Sequence, residues 1–277
     1  MQIPHTEEET AALKGMIARR RDLHAHPEEG WCEFRTTAAI IRELETLGFA
    51  VLTGKDVIRP EARMGVVPER VAKAREKALA DGADSEILER MEDFTGCVGV
   101  WKTGRPGHVT ALRFDIDALR GITESTLPEH RPAALGFASP VPNVCHVCGH
   151  DAHTAVGLGV ARWVAAHAQE LTGTVKLLFQ PAKEGVRGAV AMAASGVADD
   201  CDWLFGAHVG CEFGVDELGI LEEGYLATTK MDVIFEGTPA HAGSDPEKGR
   251  SALRERHEHS GLASSLGRGF ARLDRAH

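Results

Sequence analysis

The chain is 277 residues long, 43% hydrophobic and 26% charged, which is enough to bury a sizeable core in an ordinary globular fold. Its formal net charge of -10 argues against general polyanion binding, so nucleic acid is excluded as a partner class. The polar, acidic start from Gln2 to Thr10 shows no secretory signal and no apolar run approaches the roughly 20 residues of a membrane helix, so the expected setting is cytoplasmic, without a membrane partner.

From Glu7 to Arg21 and from Arg35 to Leu47 the apolar residues recur at helical spacing, with Ile40, Leu44 and Leu47 on one stripe and Gly48 as a stop. A charged, Ala-rich stretch follows, about 56–93, and is predicted to be a helical insertion at the periphery because it has few large apolar residues. The rhythm then changes to short β-rich runs: Cys97 to Trp101, Val109 to Phe114, Val175 to Phe179 and Trp203 to Phe205. A long helix is predicted between two of them, after His153 and through Val160, Trp163 and Val164 to about Leu171. This alternation predicts an α/β fold, a mostly parallel sheet covered by helices on both faces, over 1–228. Ligands of such sheets collect at the carboxyl ends of the strands.

A further strand, Met231 to Glu236, leads into GTPAHAGSDPEKG and a predicted turn into a new helix. Residues 229–253 therefore form the start of a small α+β lid or dimerisation domain. The tail over 254–277 does not resemble what precedes it: from Arg250 to His277 there are six Arg, three His and no Lys. An out-of-frame or damaged gene end and a native basic arm both remain open.

Four polar clusters follow apolar strands: Phe114 to Asp117, Cys145 to His153, Gln180 to Gly185 and Gly206 to Gly210. Cys148 offers a thiolate, His150 and His208 imidazoles, and Glu184 a carboxylate, a mixture suited to zinc, manganese or another borderline divalent ion. The six cysteines, without an export signal, favour free thiols over a disulfide framework. Cys145 and Cys148 also match a redox pair or half of a zinc ribbon, although no second pair completes a ribbon. A lone histidine at a strand end, as His208 is, is more often a hydrogen-bonded structural residue than a ligand, and it is the coincidence of clusters at successive strand ends that points to a metal.

The segments RRDLHAHPEEGW, ALRFDIDAL, HVCGHDAHTA, LLFQPAKEG, GAHVG and GTPAHAG, in that order, resemble metallopeptidase family 20 in its amidohydrolase branch. The segments RMGVVPERVAKAREKALADG, EFRTTA and ATTKMD resemble the p-aminobenzoyl-glutamate hydrolases, A-subunit type, more than the general hippurate or indole-acetyl-amino-acid hydrolases of that branch. The resemblance implies a zinc-peptidase-like catalytic domain with two divalent ions, Mn or Zn, held by Cys148, His150, Glu184 and His208, with Cys148 shared between them. It implies a metal-activated water that attacks the amide of a small N-acyl amino acid. It also implies a second subunit, homologous or identical. Asp115 and Asp117 would support the ligands from behind, and Asp151 and His153 would do the same or simply open a helix. His24, His26 and Pro27 would be structural, and Gly149 and Gly185 would let the backbone bend. His241 would reach the substrate carbonyl, unless it is only a turn histidine.

Two departures stand out against that resemblance. The residue before the metal-binding carboxylate is a glutamate in the family, the general base; here it is Lys183, whose ammonium cannot accept a proton unless the metals strip its own. Relatives also supply a further histidine ligand from a later segment, which 250–277 does not match. Three readings follow: an amidohydrolase for aromatic acyl amino acids, impaired in this chain; a non-catalytic metal-binding or assembly subunit; and a cysteine-nucleophile hydrolase using Cys148 with His150.

Overall fold

A computed structural model of the protein describes residues 6–210, 214, 217–220, 235–241 and 243–252. The chain divides into two compact units, Met1–Phe213 and Gly214–His277, and each is described by itself.

The first unit opens with α1 (Glu7–Ala25), whose start is closed by a capping box between Thr6 and Glu9. Helix α2 (Phe34–Thr46) follows, burying Phe34, Ile40, Ile41 and Leu44 on the stripe that the sequence pattern indicates. Gly48, at a φ of 94°, stops it by taking the left-handed conformation. After strand β1 (Ala50–Thr53), the charged insertion forms α3 (Pro68–Ala80) and α4 (Ser85–Met91). These helices are less peripheral than their composition indicates. Val71, Ile87, Leu88 and Met91 enter the main core, because a few well-spaced apolar side chains suffice when the opposite face is solvated.

Strands β2 (Cys97–Lys102) and β3 (Val109–Asp115) come next. The short β4 (Leu119–Arg120), the turn-length α5 (Arg131–Ala134) and β5 (Val144–Cys145) lead into α6 (His150–Ala166). Strand β6 (Thr174–Gln180), helix α7 (Gly188–Ala193) and β7 (Trp203–Gly206) complete the unit. Helix α6 begins earlier and ends earlier than the pattern implies, opening on His150 itself.

The five-stranded sheet has the order β1-β2-β6-β3-β7. Its β6-β3-β7 part is parallel, and β1 and β2 extend it by antiparallel pairing. In β6, Leu177, Leu178, Phe179 and Gln180 are buried at consecutive positions, so both faces of the strand are covered, as in α/β sheets generally. Strand β7 differs: among the described residues Trp203, Leu204 and Phe205 are 54%, 56% and 55% exposed.

Register places the ends of the three parallel strands together. Asp115 pairs with Gln180 across β3 and β6, and Arg113 pairs with Gly206 across β3 and β7. The loops bearing Asp117, Glu184 and His208 therefore leave the sheet at one end. Helix α6 comes close to that sheet because Gly157 has no side chain: a Cβ there would meet Phe179 Cε1 at 2.7 Å and Phe114 Cδ2 at 2.8 Å. Two rigid rings cannot both retreat, so Gly157→Ala is expected to destabilise the protein by roughly 1–3 kcal/mol, read as a lower denaturation midpoint. An unchanged midpoint would mean that α6 is not held at this distance.

In the second unit, Thr238 and Arg250 form an antiparallel bridge around a 3-10 turn at Pro246–Lys248. The strand predicted from Met231 falls mostly outside the described residues, as do most of the helix expected after the GTPAHAGSDPEKG turn and the whole of 254–277. No helix of the described residues is long and apolar enough to cross a membrane.

Candidate metal centre

Asp117 lies just beyond the end of β3 and organises two other segments. Its backbone carbonyl accepts from His150 Nδ1 at 2.7 Å, and its Oδ1 lies 3.1 Å from the same nitrogen. Its Oδ2 accepts the backbone N–H of Glu184 at 2.8 Å. With Nδ1 thus committed as a donor, His150 directs the lone pair of Nε2 inward, where that buried atom has no hydrogen-bond partner. Burial opposes a charge on His150, but the hydrogen bond to Asp117 and the charges of Asp115 and Asp117 outweigh it and raise the pKa.

Gly149 makes the turn between Cys148 and His150. It adopts a φ of 85°, and a Cβ there would lie 2.6 Å from Val209 Cγ2, so only glycine suits both the conformation and the space. Gly185, at a φ of 87°, bends the chain after Glu184 in the same way. Both glycines are where the sequence places chain reversals.

Asp115 acts on the third loop. Its Oδ1 accepts from His153 Nδ1 at 2.5 Å, and its Oδ2 lies 2.8 Å from Arg113 Nη1. Burial alone would raise its pKa, but the His153 hydrogen bond and the Arg113 charge hold the carboxyl well below the ordinary carboxylate range. His153 then accepts the Val209 N–H on Nε2 at 2.9 Å. Val209 in turn fixes His208, whose Nδ1 donates to the Val209 carbonyl at 2.7 Å and so leaves Nε2 as the acceptor.

Among the described residues, two groups of donor atoms lie close enough to hold a cation: Cys148, His150 and Glu184, and Asp115, His150, His153 and His208. The first group is the better candidate, since both nitrogens of His153 are already engaged and Asp115 is paired with Arg113. The separations suit an ion. His150 Nε2 is 3.6 Å from Glu184 Oε1, and Cys148 Sγ is 3.4 Å from His208 Nε2. A tetrahedral zinc ion with ordinary bond lengths spaces N and O ligands about 3.4 Å apart and S and N ligands about 3.5 Å apart. The residues present therefore fit a divalent metal.

Lys183 points into this group. Its Nζ is 3.4 Å from each of Cys148 Sγ, Glu184 Oε1 and His208 Nε2. Burial disfavours the ammonium, but Glu184 and Cys148 more than offset that, and the pKa is raised. These contacts favour the ammonium form of Lys183.

Cys145 does not join Cys148: it is buried on β5, its thiol donates to the Ile122 carbonyl at 3.3 Å, and both sulfurs are free. His24, for which the resemblance implies a structural role, takes part in a buried network: Nδ1 is 2.8 Å from Asp151 Oδ2 and Nε2 is 2.8 Å from Glu124 Oε1. His26 is exposed on the surface and bonds the Asp22 carbonyl, 2.8 Å away. His241 belongs to the second unit, where its Nδ1 accepts the N–H groups of Gly243 and Ser244 at 3.2 Å in a turn.

A comparison of sequences places the chain among known proteins. The profile of peptidase family M20/M25/M40 matches residues 111–255. The chain belongs to this family. It is 44% identical over 242 residues to a p-aminobenzoyl-glutamate hydrolase subunit homolog of Haemophilus influenzae, a match covering 87% of this chain and 57% of that protein. Indole-3-acetyl-aspartic acid hydrolase of Enterobacter agglomerans is likewise 44% identical, with 87% and 56% covered. Against this M20 chain, the aminobenzoyl-glutamate utilization protein of Klebsiella pneumoniae superposes with a TM-score of 0.60 at 40% identity, covering 73% of this chain and 45% of that one. A dinuclear metal-binding M20 peptidase of Bacillus subtilis gives 0.55 at 31%, with 74% and 45% covered. The chain thus spans a little over half the length of the curated relatives it matches.

Glu33, the first residue of the EFRTTA segment, anchors the loop carrying Lys183 and Glu184. Its buried carboxyl accepts the Thr95 hydroxyl at 2.6 Å and the Ala182 N–H at 2.7 Å. Burial, and then the charge of Asp117, push its pKa well above the ordinary carboxylate range. A carboxyl raised in this way stabilises the folded state at acid pH and loses that contribution as pH rises through the raised value. Glu33→Gln is therefore expected to gain stability relative to the unsubstituted protein on going from about pH 5 to about pH 9, measured by thermal unfolding at both. A pH-independent difference would refute the assignment.

Proposed function

We propose that this chain is a metal-dependent amidohydrolase acting on N-acyl amino acids with an aromatic acyl group, p-aminobenzoyl-glutamate being the first candidate. The observation that carries the reading is the convergence of Cys148, His150, Glu184 and His208 at the carboxyl ends of three parallel strands and the start of α6. These residues would hold the divalent ions, Zn or Mn. Bound there, the ions would supply a water of lowered pKa and polarise the scissile carbonyl.

The chain's own residues set the terms. Asp117 and Asp115 keep the His150 ring and the His208 loop in one orientation each, which lowers the cost of assembling the donors. Lys183, as an ammonium, cannot take the proton that a glutamate at this position would take, so hydrolysis is slow and the charge of Lys183 remains beside the ions. His241 is carried as a substrate-facing residue of the second unit. A partner subunit, homologous or identical, and the division into a catalytic part over 1–228 and a lid or dimerisation part beyond it belong to the same reading. So does a cytoplasmic setting.

A second reading, a metal-binding subunit without hydrolytic activity, draws on the same Lys183 contacts. Release of p-aminobenzoate from p-aminobenzoyl-glutamate separates the two. The expected result is slow release with added Zn2+ or Mn2+, abolished by chelator and by Cys148→Ala, and faster by roughly 10² to 10⁴ in Lys183→Glu. Release that survives chelation would instead indicate a cysteine nucleophile. No gain in Lys183→Glu would count against the base position.

A further inference from the structure

The Lys183 ammonium is placed as an ion would be. Its Nζ is equidistant, at 3.4 Å, from a sulfur, a carboxylate oxygen and an imidazole nitrogen that come from three different segments. Two of those donors, Cys148 Sγ and His208 Nε2, are themselves 3.4 Å apart, close to the spacing of two ligands on one tetrahedral ion. At 3.4 Å the contacts to Nζ are long for hydrogen bonds, and no single partner is favoured. The side chain fills the middle of a donor set and does not serve as half of one pair. The remaining donor, His150 Nε2, is 3.6 Å from Glu184 Oε1 and is buried without a hydrogen-bond partner.

We propose that Lys183 is a tethered competitor for one ion of the metal pair. The ammonium occupies the place bounded by Cys148, Glu184 and His208, and leaves the place bounded by Cys148, His150 and Glu184 for a first divalent ion. A second ion has to displace the ammonium and remain beside its charge. The two ions therefore bind at very different affinities, and the difference is set by residue 183. This inference rests on the metal-centre reading above and adds an order of filling that the donor residues alone do not imply.

Like charges a few ångströms apart repel by several times the thermal energy even at a surface-like effective dielectric, so the second affinity is where the effect falls. The test is calorimetric titration of the chelator-stripped 277-residue chain with Zn2+ and, separately, Mn2+, with bound metal counted by elemental analysis after dialysis. Lys183→Met removes the charge and keeps most of the side-chain volume. Lys73→Met, on the exposed face of α3, controls for loss of a lysine anywhere on the chain.

The expected result is two resolved steps in the unsubstituted chain and in Lys73→Met, the second weaker by roughly tenfold or more. In Lys183→Met the second step should tighten by roughly tenfold or more and the first should change less. Two equal steps in the unsubstituted chain, or a Lys183→Met isotherm that overlays it, would overturn the proposal while leaving the metal centre standing. One ion in both proteins would do the same. Absence of any bound ion in all variants would overturn the metal-centre reading and this proposal together.

Discussion

A single carboxylate, that of Asp117, is the interaction on which the candidate centre depends. It takes the His150 ring with one side and the backbone of Glu184 with the other, so that two donors separated by more than thirty residues in sequence share one anchor. Asp115 does the equivalent work one strand register earlier, through His153 to Val209 and so to His208. Neither arrangement survives without the parallel register of β6, β3 and β7, which brings three strand ends to one side of the sheet. Ordered donors matter because a metal site assembled from mobile loops must first give up their conformational entropy.

Around that anchor, the loop after β6 is constrained from several directions at once. Glu33 accepts the Ala182 N–H, Ala182 itself adopts a φ of 47°, and a Cβ on Gly188 would come within 1.6 Å of the Pro181 carbonyl oxygen. A non-glycine residue held at positive φ is costly, and it persists only where the surroundings hold it. Here those surroundings are the buried carboxyl of Glu33 and the close passage of the chain at Gly188. The position of the Lys183 ammonium is a consequence of this constraint, because the backbone that bears it has little room to turn away.

Lys183 changes the electrostatic character of the centre. Of the charges that act on Lys183, Glu184 counts most, followed by Cys148 and then Asp115. Placing an ammonium among those groups stabilises the ammonium and at the same time lowers what remains for a metal. The same contacts therefore bear on two properties, proton transfer and ion occupancy. A residue that is unsuited to the first is well suited to moderating the second.

Much of this could be read from the residues in order. The amphipathic stripe of α2, the strands ending at Phe114 and Phe179 and the polar clusters just beyond them are local patterns, and they named Cys148, His150, Glu184 and His208 without coordinates. Three things were not local. The insertion over 56–93 looked peripheral because only a few of its side chains are apolar, and its share in the core emerges only when those few meet α2. Glu124 gave no signal and Glu33, although it opens the EFRTTA segment, gave none of its anchoring role, since an acidic residue in a loop is ordinarily solvated and only the fold buries these two among hydrogen-bond donors. The pairing of β1 and β2 onto the parallel core was likewise beyond the pattern, because strand direction depends on long-range neighbours and not on residue type.

What the sequence determined by itself was the set of available chemistries: a thiol, imidazoles and carboxylates at strand ends, and an amine where the family has an acid. Tertiary structure decided which of them act on one another, since a 3.4 Å contact among Cys148, Lys183 and His208 depends on the register of strands far apart in the chain. The physical reason is the range of the forces involved. Secondary structure follows from neighbours within a few residues, whereas coordination and charge pairing fall off over a few ångströms of space and depend on where the whole sheet places its loops.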